Sequence, residues 1–122
     1  MKLRITNDAV RIRISKTEVE LLKENESVTL EIIFPGSETF SCEVIPDNSD
    51  SVRVSMEANT LFIYLPNQEV KSWNPSEMIQ LESVLYLENG KELLILVEKD
   101  FKRLSNRARE DESNLFSNPK KN

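Results

Sequence analysis

With 122 residues, 39% of them apolar and 30% charged, the chain is long enough for one hydrophobic core. It contains no apolar run near the roughly 20 residues of a membrane helix, no basic-then-apolar signal segment at its start, and a single cysteine, Cys42, which excludes an internal disulfide. A soluble, cytoplasmic protein with no membrane partner is expected, and the net charge of −5 argues against a nucleic-acid binder.

The charge divides unevenly. Residues 1–98 hold 9 basic and 17 acidic side chains, a balance of −8; residues 99–122 hold 7 basic and 4 acidic, a balance of +3. This suggests one acidic domain, residues 1–101, followed by a polar, mildly basic tail, residues 102–122.

Taken in order, Leu3 and Ile5 alternate with Lys2 and Arg4, and Val10, Ile12 and Ile14 alternate with Arg11 and Arg13. With Asn7-Asp8 as the loop, these runs form a hairpin in which Arg4 faces Arg11 and Lys2 faces Arg13. Ser15 to Glu18 has capping-box spacing and opens a helix to about Glu24, with Val19 and Leu22 on its buried side. A strand from Val28 to Phe34 turns at Pro35-Gly36, and Thr39 to Ile45 returns with Phe40, Cys42 and Val44 on one face. Residues 46–50 read as a loop. Val52, Val54 and Met56 then alternate up to a turn at Ala58-Asn59, and Leu61 to Leu65 comes back. Gln68 to Trp73 makes one or two helical turns, ending near Asn74-Pro75.

The longest apolar run, Leu93 to Val97, belongs in the middle of a sheet. Asn89-Gly90 before it signals a tight hairpin turn, which would pair Tyr86 with Leu93, Val84 with Ile95 and Glu88 with Lys91. Together the pattern predicts an α+β domain: a mostly antiparallel sheet of about eight short strands, strongly bent or partly closed into a barrel, with two short helices. The strand order is left open.

Without histidine and with one cysteine, an ordinary zinc site and a histidine-based triad are excluded. Cys42, between Phe40 and Val44 on its face, reads as a buried inert thiol, and Trp73 as a lid on the core. Lys2, Arg4, Arg11 and Arg13 gather four cations on one face, enough to hold a phosphate or carboxylate. Structural ion pairs with Glu31, Glu43, Glu57, Glu82 or Glu98 are the competing reading, and the favoured one. Glu98 and Asp100 share one strand face and are the candidate acidic partners of this cluster. Glu110-Asp111-Glu112 in the tail reads as solvated acids, or as partners of Arg103, Arg107 and Arg109, before it reads as a metal site. No cofactor is implied.

The opening, with Lys2, Leu3, Arg4, Arg11, Arg13 and Glu18, and the close, with Val97, Glu98, Lys99, Asp100 and Phe101 and then Glu110, Asp111, Glu112, Phe116, Asn118 and Pro119, resemble a family of short uncharacterised bacterial proteins. Arg103 stands where that family commonly has cysteine, and Ser117 where it commonly has proline. The resemblance implies no activity. The sequence therefore reads as a small binding or interaction module, more than an enzyme, whose basic face meets an anionic group. Two alternatives stand beside it: an enzyme acting on a phosphorylated substrate inside an open barrel, and a homo-oligomer built by pairing of sheet edges.

Overall fold

The computed structural model describes residues 1–100. Their alternating segments form eight strands, with two short helices, in two four-stranded sheets. The first sheet runs β1 (Lys2–Ile5), β2 (Ala9–Ile14), β8 (Glu92–Lys99), β7 (Ile79–Tyr86). The second runs β3 (Val28–Ile33), β4 (Thr39–Asp47), β6 (Thr60–Pro66), β5 (Arg53–Glu57), and its segment of chain is inserted between β2 and β7.

Each sheet is two antiparallel hairpins joined side by side through a parallel pair, β2 with β8 and β4 with β6. The expected α+β class, strand number and helix number hold. The bent or partly closed barrel does not: neither sheet closes, and both are mixed. The physical reason is that period-two patterning gives each strand a buried face and an exposed face without saying which sheet it joins. Two separate sheets bury the same residues as one curled sheet by packing their inner faces together. The enzyme alternative loses the open barrel on which it rested.

Those inner faces share one buried cluster. Ile12, Ile14, Ile95 and Val97 come from the first sheet, and Cys42, Val44, Ile63 and Leu65 from the second, all at 0–1% exposure. The helices close the end of this core. α1 (Lys16–Lys23) follows β2, α2 (Asn67–Lys71) follows β6, and the two touch one another. Leu22 of α1 and Val70 of α2 point into the cluster, and Trp73 lies against it. α1 starts where the sequence places it, with both halves of the capping box formed: Glu18 N–H donates to Ser15 Oγ at 3.2 Å, and Ser15 N–H donates to Glu18 Oε1 at 2.8 Å.

The hairpin of β5 and β6 turns at Ala58 and Asn59, which have φ of +49° and +66°. This left-handed pair matches the twist of the flanking strands. The hairpin of β7 and β8 departs from the expected register by one residue. Tyr86 pairs with Glu92, Leu85 with Leu93 and Val84 with Leu94. Only Gly90 of the turn has positive φ, at +82°, and Leu87 N–H bonds back to the Lys91 carbonyl at 2.8 Å. A three-residue loop with glycine in the left-handed position has replaced the two-residue turn. The slip matters because it sets Leu81 and Leu85, rather than Val84 and Tyr86, on the same side as Ile95 and Val97. β4 also extends to Asp47, through residues expected to lie in a loop.

Candidate functional site

The candidate site lies on the outer face of the first sheet. β1 and β2 pair in the expected register, with Lys2 opposite Arg13 and Arg4 opposite Arg11. Their alternate residues Val10, Ile12 and Ile14 are buried, so the four cations necessarily stand on the other side. β8 lies next to β2, and its register sets Glu98 beside Arg13 and Leu96 beside Arg11. Glu82 of β7 follows Leu96 in the same row, two strands from Arg11.

The four cations divide into two kinds. Arg13 Nε donates to Glu98 Oε1 at 2.9 Å, and Glu98 is only 7% exposed. Lys2 Nζ lies 2.9 Å from Asp100 Oδ2. The hydrogen bond from Lys2 pulls the Asp100 carboxyl below its ordinary value; slight burial opposes this, and the Arg13 guanidinium and the terminal ammonium add to it. Arg4 and Arg11 are both exposed, and their side chains have no ion pair or hydrogen bond among the described residues. All four cations, with Leu3 and Glu98, line a depression of about 180 Å³. Of the carboxylates named as competing partners, Glu98 alone reaches the cluster. Glu31, Glu43 and Glu57 belong to the other sheet.

The chemistry open to this arrangement is electrostatic. Two guanidinium groups directly opposite each other repel, and each carries five donors in a planar fork suited to carboxylate or phosphate oxygens. Two neighbouring cations are already matched, so the local excess is the Arg4–Arg11 pair. Beyond it the outer face becomes apolar: Ala9, Leu94 and Val84 form the next row, and Ile79 and Tyr86 are 50% and 78% exposed.

Elsewhere, Cys42 is fully buried and burial pushes its thiol up to about 11. No group of three or more potential metal ligands occurs among the described residues. Glu110-Asp111-Glu112 and the remaining tail positions lie outside them. A polar hollow between the ends of β4 and β6, lined by Asp47, Ser49, Asn67 and Glu69, is largely satisfied internally. There Asp47 is drawn below its ordinary value, first by the Ser49 hydroxyl and, against slight burial, by Arg53. Sequence reasoning missed a larger cavity beside α1, walled partly by Trp73. Its one signal was the spacing of Lys16, Glu20 and Lys23 on one helix face.

The structure thus defines a two-sheet α+β domain with a partly neutralised basic strand pair on its outer surface. The chain belongs to a family of unknown function (DUF7009), whose model matches residues 1–120. No curated protein and no solved structure matches it. Among the described residues no helix is long and apolar enough to cross a membrane.

Proposed function

We propose that this protein is a small, soluble binding module whose outer sheet face takes an anionic oxygen group, a phosphate or a carboxylate, between Arg4 and Arg11. One observation carries the reading: two exposed arginines face each other on paired strands and neither forms an ion pair among the described residues, while their neighbours Arg13 and Lys2 are each matched by a carboxylate. A scaffold network would have used its anions to cancel that repulsion. An incoming anion bridging both forks relieves it and gains charge-assisted hydrogen bonds. The apolar rows beside the pair supply further contact area if the anion is carried by a macromolecular partner. The site needs no catalytic group and no metal. A buried single thiol suits a reducing compartment, so a bacterial cytoplasmic setting is part of the proposal.

The test is thermal unfolding of the full chain in chloride, phosphate and pyrophosphate at matched ionic strength, for the wild type and for the double variant Arg4→Ala with Arg11→Ala. Phosphate-type anions at tenfold excess over Kd should stabilise the wild type by about 1.4 kcal/mol and leave the double variant unmoved. An equal response from both proteins, or from neither, contradicts the reading. So does a double variant that is strongly destabilised in chloride alone.

A further inference from the structure

The outer face of the first sheet carries two unmet features, and they lie in order along its strands. The row nearest the end of β8 is matched: Arg13 pairs with Glu98, and Lys2 with Asp100. The next row holds Arg4 and Arg11, bordered by Leu96. After it comes the apolar row Ala9, Leu94 and Val84, with Val84 41% exposed. Of the four arginines among the described residues, Arg13 and Arg53 have carboxylate partners and these two do not. Glu82, the acid of their row, stands two strands from Arg11, about 10 Å away.

The chain leaves the described residues on this same face. Asp100 Oδ2 lies 2.9 Å from Lys2 Nζ, and Arg4 stands two residues further along β1, about 7 Å on. Beyond Asp100 every acidic side chain falls in one run, Glu110-Asp111-Glu112, and Phe116 follows it closely. The ten residues from Asp100 to Glu110 can span up to about 33 Å, so the run reaches Arg4 with chain to spare, and loop closure costs little more for the extra length. The family model extends to residue 120, so the acidic run belongs to the matched unit. Charge selects where it settles. Residues 1–98 hold 9 basic and 17 acidic side chains, a surface that repels consecutive carboxylates, and the Arg4–Arg11 pair is a local excess of the opposite sign.

We propose that the tail doubles back over the outer face and seats Glu110 and Glu112 against Arg4 and Arg11, so that the chain carries its own occupant of this site and an external anion must displace it. The inference rests on reading Arg4 and Arg11 as open to an anion. In an extended segment Glu110 and Glu112 share one side, about 7 Å apart, while Arg109 and Asp111 share the other. Phe116 lies on the same side as the two glutamates, about 13 Å beyond Glu112. That spacing sets it over the apolar row, beside Leu94 and Val84.

The test attaches a nitroxide to the full chain at Ser113→Cys; Cys42 is fully buried and takes no label. In the ¹⁵N spectrum the label should strongly broaden the Nε–H resonances of Arg4 and Arg11 and the amide of Val84. Thr29 and Glu43, on the outer face of the second sheet, should stay sharp. Neutralising the run in the same chain, with Glu110→Gln, Asp111→Asn and Glu112→Gln, should abolish the broadening. It should also tighten phosphate binding at Arg4 and Arg11 about fivefold, the scale of a few exposed ion pairs. Absence of selective broadening at Arg4 and Arg11 overturns the proposal, as does undiminished broadening in the neutralised chain. Equal broadening of an unlabelled ¹⁵N chain mixed with a labelled ¹⁴N chain overturns it too, because the contact is then between molecules. If phosphate binds both proteins with one Kd, the anion site stands and the tail proposal falls. If phosphate moves neither, the anion site falls, and the broadening still decides where the tail lies.

Discussion

Replacing Arg13 by methionine should destabilise the fold, whereas the same replacement at Arg11 should not. Methionine keeps the aliphatic stem and removes the charge and every donor, so packing changes little. The side chain of Arg13 is 47% exposed and that of its partner Glu98 only 9%. Losing Arg13 therefore leaves a carboxylate away from water with its hydrogen bond gone. Breaking a fully buried pair costs about 3–5 kcal/mol; the exposure of Arg13 places the expected loss lower, at about 2 kcal/mol. For a domain of this size that lowers the melting temperature by about 8–12 °C. Arg13→Met combined with Glu98→Gln should recover more than half of the loss, giving a coupling energy of about 1.5 kcal/mol in a double-mutant cycle. Arg11→Met removes a repulsion from Arg4 and no ion pair or side-chain hydrogen bond among the described residues, so it should be neutral or stabilising by up to about 0.5 kcal/mol. Thermal and urea unfolding of the four variants and the wild type decides the matter. If Arg11→Met costs as much as Arg13→Met, Arg11 is part of the scaffold and the division of the cations into two kinds is wrong.

Three further expectations follow from buried or conformationally fixed positions. Cys42, buried and pushed up to about 11, should react with a thiol reagent near pH 8 only as fast as the protein opens, and the rate should rise with added urea. Burial pushes Glu18 up, but hydrogen bonds from the terminal ammonium and from the Ser15 backbone and hydroxyl outweigh it and hold the carboxyl below its ordinary 4.5. Because the folded value is lowered, this stabilisation is complete above the unfolded value and is lost as the pH falls through the folded one. Urea melts on the acid side of about pH 4.5 should show the loss, and Glu18→Gln should flatten it. Gly90→Ala meets no atom within 4 Å, so its expected cost of about 1 kcal/mol comes from the left-handed φ of +82° alone; Gly90→Asn, tested by the same melts, should cost less.

The first hairpin was legible to the residue because both its faces are strongly patterned, so a one-residue slip would bury a guanidinium, and because Asn7-Asp8 marks the turn that sets the pairing. The capping box was legible because both its hydroxyl and its carboxylate are local. The register of β7 with β8 was not. Leu93 to Val97 is apolar on both sides, so no face-to-face contrast distinguishes one pairing from the next, and the turn chose between them. Sheet membership was hidden for a related reason. Both sheets repeat the same hairpin-to-hairpin plan, and the parallel joins of β2 with β8 and β4 with β6 are long-range contacts without a local signature. In the site, the sequence brought Lys2, Arg4, Arg11 and Arg13 together but could not apportion carboxylates among them, since that depended on which strand lies beside β2. The cavity at Trp73 assembles from α1, a loop and three strand ends, and no stretch of sequence contains it.

The proposed anion site requires Arg4 and Arg11 to be available while Arg13 is engaged. The most direct measurement follows the ¹⁵Nε–H side-chain resonances of the arginines during a titration with inorganic phosphate at constant ionic strength. An anion held between the two forks should give saturable shifts at Arg4 and Arg11 with one common Kd, and a smaller or absent shift at Arg13, held by Glu98. Uniform, unsaturable drift of all arginine resonances, or a response centred on Arg13, would contradict it.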